Sequence, residues 1–192
     1  MTKTRLEAFS DGVLAIIITI MVLELKTPEG TDWESVRRLL PVLGSYILSF
    51  VFIGIYWGNH HHLLHTIHHV NGKIMWANMH LLFWLSLVPF ATVWMGENNF
   101  KSETVAVYGA LYLLCGFAFN LLQVSMKGSQ IQNEKLEKAF KKTRRKGLIS
   151  FVAYALSVPL AFVHPAISGF IFISVAVMWV IPDKNIEQAL KD

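Results

Sequence analysis

The chain of 192 residues has a net charge of +4 and is 54% hydrophobic but only 16% charged, against about 25% charged in an ordinary soluble domain. One small core cannot hide that much apolar surface, which excludes a wholly soluble protein and makes lipid the solvent for part of the chain. The basic balance does not point to nucleic acid, because the basic residues flank apolar runs, as they do in the cytoplasmic loops of membrane proteins.

Six apolar segments follow one another, and a membrane span needs about 20 such residues. The first, 6–25, opens on Arg5, Glu7, Ser10 and Asp11 and then keeps only Thr19 polar between positions 12 and 23. It is read as a retained span, since acidic as well as basic residues precede it and no small-residue cleavage site follows. On a helix of 3.6 residues per turn, Ile16, Thr19, Ile20 and Leu23 share one face, which Phe9 and Gly12 continue toward the N-terminus. A packed aliphatic helix with a threonine bonded back to its own turn accounts for that face. Asp11 is harder to account for, because a carboxylate in a span must be paired or watered.

The second segment, 39–57, carries Pro41 in its first turn, where proline is tolerated. It runs into "NHHHLLHTIHHV", which holds six of the eight histidines. His61 and His65 are spaced i,i+4, and His65, His68 and His69 spell H-x-x-H-H. Neutral imidazoles at that spacing ligate metals, so His61, His65, His68 and His69 are the candidate ligands. A di-iron enzyme would need further histidine boxes, and only His80 and His164 lie outside this one. The third segment, 74–96, contains Pro89, which predicts a kink. The fourth is 104–126. The stretch 127–146 is polar and strongly basic, with helical composition. The fifth and sixth segments, 148–163 and 166–181, are short and divided by His164 and Pro165. They are read as two thin spans rather than a re-entrant hairpin. The lone Cys115 leaves no internal disulfide.

The expectation is an all-α membrane protein, a single six-helix domain over 1–192. With the N-terminus placed in the cytoplasm, that side holds thirteen of the seventeen basic residues, eight of them between Lys127 and Lys146. Six spans return the C-terminus to the same side.

The stretch "RLEAFSD", residues 5–11, has the form R-x-x-x-F-S-D at the mouth of an aliphatic helix. It resembles the signature of the endolysosomal potassium channel family, called transmembrane protein 175 in animals, and its prokaryotic homologues. "WGNH" at 57–60 resembles a W-x-x-H element of that family, and Asn78 followed by Pro89 and Phe90 resembles its next apolar segment. The resemblance implies a potassium-permeable cation channel in a prokaryotic plasma membrane. Single-unit members are homotetramers whose first helices line a central pore. Ile16 then matches the narrowest ring, Ile20 and Leu23 further apolar rings, and Thr19 the threonine associated with selectivity. Arg5, Phe9, Ser10, Asp11, Trp57 and His60 match the network that anchors the pore helix. No cofactor is implied, potassium being the permeant species. Without a T-V-G-Y-G-like filter, an aliphatic ring gates by dewetting and selectivity is modest. Two other readings stand beside this one. In a proton-coupled secondary transporter, Asp11, Glu24 and the histidines would carry protons; a histidine-box metalloenzyme would use the cluster at 60–69.

Overall fold

The computed structural model describes residues 1–127 and 134–180, and the side chains of all of these except 134–141. Part of the basic stretch, and positions 181–192 with the end of the sixth predicted span, Lys184 and Lys191, lie outside the described residues.

Helix α1, Lys3–Leu23, starts where Thr2 accepts a hydrogen bond from the Arg5 backbone N–H. A short helix α2, Trp33–Arg38, is capped by Asp32, whose carboxylate accepts from Ser35 N at 2.8 Å; the hydrogen bond from Ser35 holds that carboxyl below its usual pKa. Helix α3, Leu40–His65, begins with Pro41 in its first turn and extends eight residues past Trp57, through four histidines. Asn71 caps α4, Gly72–Ser86. The third apolar segment is then broken: Pro89 has no N–H to continue the ladder, and α5, Val88–Glu97, starts afresh with that proline in its first turn. Two residues with positive φ, Asn99 and Phe100, close α5. Phe100 N reaches back to Met95 O at 3.0 Å and Asn99 N to Gly96 O at 3.1 Å, the paired bonds of a Schellman end. Helices α6, Ser102–Met126, α7, Glu134–Val163, and α8, Pro165–Val180, complete the fold.

The fifth predicted span belongs to a longer helix, of which the 22 residues Lys142–Val163 form the candidate membrane span. Its neighbour α8 has 16 residues. The turn between them is tight: His164 Nδ1 accepts from Ala166 N at 3.2 Å, and Pro165 takes the first helical position, where its missing N–H costs nothing.

Helix α6 is the centre, packed on α4, α5, α7 and α8. Around it Phe52, Tyr108, Tyr112, Tyr154 and Phe172 form one aromatic cluster. At its edge the Ser49 hydroxyl meets Thr92 Oγ1 at 2.7 Å and Tyr108 Oη at 2.9 Å, joining α3, α5 and α6. Small residues bring backbones together: a Cβ on Gly96 would lie 2.7 Å from Val42 Cα, and one on Gly109 would lie 2.5 Å from Ser157 Oγ. Helix α1 packs on α3, α4 and α5. The start of α1, the end of α3 and the start of α4 meet at one end of the bundle. At the other end, Lys26 after α1 pairs with Glu97 of α5 at 2.6 Å.

Candidate pore helix and its anchor

Helix α1 buries Leu6, Ser10, Leu14, Ile17 and Met21 against its neighbours. The opposite stripe is uncovered. Phe9, Gly12, Ile16, Thr19, Ile20 and Leu23 are all exposed, Ile16 at 58% and Leu23 at 80%. Nothing lies within 4 Å of where a Cβ on Gly12 would stand. The face the periodicity singles out is thus one that no other helix among the described residues covers. Its single polar group is satisfied locally, because the Thr19 hydroxyl donates to Ile16 O at 2.8 Å. That bond uses the hydroxyl proton, so only oxygen lone pairs remain to face outward.

The polar groups at the front of α1 divide into two ladders. The first is buried and runs from α3 through α4 to α1. His60 Nε2 lies 2.6 Å from Asn78 Oδ1, Asn78 Nδ2 donates to Ser10 Oγ at 2.9 Å, and Ser10 Oγ donates to Leu6 O at 2.8 Å. An amide oxygen only accepts, so the His60 proton sits on Nε2 and every donor in the chain points toward α1. His60 Nδ1 is buried without a partner among the described residues. The second ladder lies on the half-exposed seam between α1 and α3, where Trp57 Nε1 donates to Asp11 Oδ1 at 3.0 Å. One turn earlier Glu7 Oε1 lies 2.9 Å from His61 Nδ1 and 3.4 Å from His65 Nε2.

Ser10, Asp11, Trp57 and His60 are therefore brought together with partners, whereas Arg5 and Phe9 are exposed. Arg5 contributes its backbone N–H to the Thr2 cap, and Phe9 lies on the open stripe. Two residues outside the sequence-based set complete the ladders. Asn78 is the acceptor for His60 and the donor to Ser10; a lone amide inside an apolar span is its signal. Glu7 is the partner of His61 and His65; its signal is the i,i+4 spacing of Glu7 and Asp11, repeated by His61 and His65. His68 and His69, the other two candidate ligands, follow α3 and are exposed.

A family model described as "Endosomal/lysosomal potassium channel TMEM175" matches residues 5–89. A potassium channel of Chryseobacterium sp. (strain P1-3) is 50% identical over 192 residues, covering the whole of both chains. A potassium channel of Streptomyces collinus (strain DSM 40733 / Tue 365) is 31% identical over 169 residues, 83% of this chain and 82% of that one. The crystal structure of a lysosomal potassium-selective channel TMEM175 homolog from Chamaesiphon minutus superposes with a TM-score of 0.81 at 25% identity, over 93% of this chain and 96% of that chain.

Proposed function

The chain belongs to the TMEM175 family, and from that premise we propose that four copies assemble with their α1 helices around a central pore. As a member of the family it is a potassium channel in a membrane and not an enzyme. In this reading Ile16 forms the constriction, Ile20 and Leu23 form further apolar rings, and Thr19 forms the one polar ring. The basic segment 127–146 and both termini face the cytoplasm of a prokaryotic cell, across its plasma membrane.

One observation carries the pore assignment: among the described residues, the exposed stripe from Phe9 to Leu23 has no partner within the subunit. Symmetry-related copies of the same stripe would supply one. The physics of such a pore follows from its side chains. Aliphatic rings exclude water when close together, and a hydrated ion then has nothing to replace its shell, so the closed state does not conduct. Opening requires dilation, by tilt or rotation of α1. Thr19 oxygens, their protons held by Ile16 O, offer acceptors to a cation near the axis. Side-chain oxygens of this kind are fewer than those of a carbonyl filter, which limits discrimination.

Bilayer recordings of the purified protein under potassium and sodium gradients test this reading. Ile16→Asn wets the constriction and should raise basal current. Thr19→Val keeps the shape, removes the acceptors and should shift the reversal potential toward sodium. A loss of up to about 1.4 kcal/mol corresponds to at most a tenfold change in permeability ratio. If Ile16→Asn leaves the current at its wild-type level and Thr19→Val leaves the reversal potential unmoved, α1 does not line the pore.

A further inference from the structure

The seam between α1 and α3 holds a constellation that the conduction pathway does not use. Glu7, His61 and His65 each offer one ligand atom, and the three atoms lie within 4.8 Å of one another. His61 and His65 come from successive turns of α3, with ring centroids 4.3 Å apart and planes inclined at 61°. Glu7 comes from α1. All three are half-buried.

We propose that these three side chains bind a divalent transition-metal ion of zinc type, and that the ion ties α1 to α3. Zinc takes imidazole nitrogen and carboxylate oxygen at about 2.0–2.2 Å in tetrahedral geometry. Ligand atoms then stand about 3.3–3.5 Å apart. The separations from Glu7 Oε1, 2.9 Å to His61 Nδ1 and 3.4 Å to His65 Nε2, lie close to that range, and with all three atoms within 4.8 Å of one another side-chain adjustment would bring them to it. The i,i+4 histidine pair on one helix is itself a chelating arrangement. Partial exposure, 42% at His61 and 41% at His65 against 17% at Glu7, gives the ion a route in and leaves a fourth position to water. The donor set of two nitrogens and one oxygen selects zinc, cobalt or nickel over magnesium and calcium, which take oxygen ligands. His68 and His69 are exposed beyond the helix end and are not required.

The consequence for conduction rests on the pore reading above. Glu7 sits ~2.5 turns before Ile16 on the same helix. A bond between Glu7 and α3 fixes the end of α1 that must tilt or rotate for the ring to dilate, so the bound ion holds the closed form.

Two independent readouts test the proposal on the full-length purified protein. Cobalt should give the absorption of a tetrahedral nitrogen and oxygen site, displaced by zinc at one ion per chain. Glu7→Gln and the double variant His61→Ala/His65→Ala should each weaken binding about tenfold or more, while His68→Ala should not change it. Glu7→Gln keeps size and hydrogen-bonding ability, so a folding failure is separable by its elution and thermal midpoint. Absence of a tetrahedral cobalt spectrum in the wild type, or binding retained in both ligand variants, overturns the site. In recordings, zinc on the side of the histidine cluster should lower wild-type current and leave Glu7→Gln current unaffected. Binding without any change in current overturns the locking role alone, and the Ile16 and Thr19 recordings then judge the pore separately.

Discussion

Asn78 is where the buried ladder depends on a single side chain. It gives His60 its acceptor and Ser10 its donor, and both of those residues are buried. Truncation leaves the buried His60 Nε2–H without an acceptor, at a cost of about 1–3 kcal/mol, and leaves Ser10 Oγ only its bond to Leu6 O. Asn78→Ala should therefore lower the thermal midpoint markedly and deplete the assembled channel. Trp57→Phe removes only the bond to Asp11 on the half-exposed seam; a membrane hydrogen bond of that kind averages about 0.6 kcal/mol. Thermal scans of the two variants in the same detergent compare these costs, and equal shifts would remove the distinction between the ladders. The exposed Lys26–Glu97 pair has the same local character: the hydrogen bond to Glu97 raises the lysine pKa, so the pairing is present at neutral pH and is lost as pH rises through that higher value.

At the level of helices, close backbone approach rather than hydrophobicity sets the packing. Gly96 meets Val42 of α3 with no room for a methyl group, while Gly54, on α3 itself, faces open space. Gly96→Ala should destabilise by about 1–3 kcal/mol because two helices must separate. Gly54→Ala should be neutral or stabilising through helix propensity, by up to about 1 kcal/mol. Thermal midpoints of the pair check this. The helices were legible in the sequence wherever burial is generic: the long apolar runs and the break at Pro89 follow from composition and backbone chemistry. The extension of α3 past Trp57 was not, because the histidines end the apolar run and the partner of His61 and His65, Glu7, lies on another helix. Hydropathy carries no term for a partner 54 residues away in sequence. The same limit hid Asn78 from the anchoring set, whereas the open stripe of α1 needed only the period of a helix.

For the whole molecule, Arg5, Lys73 and Lys146 lie toward one end, where Glu7 meets His61, Asn78 meets Ser10, and Asn59 of α3 lines one cavity with Arg145 and Gly147 of α7, and Asn99 lies at the other, near the Lys26–Glu97 pair. Cysteines at Asn99 and Gln132 should label from opposite faces of sealed vesicles, with Gln132 cytoplasmic. Cys115 is fully buried and should stay silent in both. Labelling of both sites from one face would refute the six-span arrangement. Native mass measurement should give an assembly of four chains of 21.8 kDa, and a single-chain mass in active preparations would leave the α1 stripe without its expected partner.

The open stripe also bears on how such an assembly is made. Its side chains are apolar apart from Thr19, whose hydroxyl is already bonded to Ile16 O, so lipid tails can cover it without a polar penalty. A lone subunit is then a tolerable guest in the bilayer before it meets others. Bringing copies together exchanges lipid contacts for protein contacts, with no gain from removing water, so association depends on shape and on subunit density in the membrane. A pore lined by carboxylates would have to be closed as it was inserted. One lined by isoleucine can be built from chains inserted one at a time.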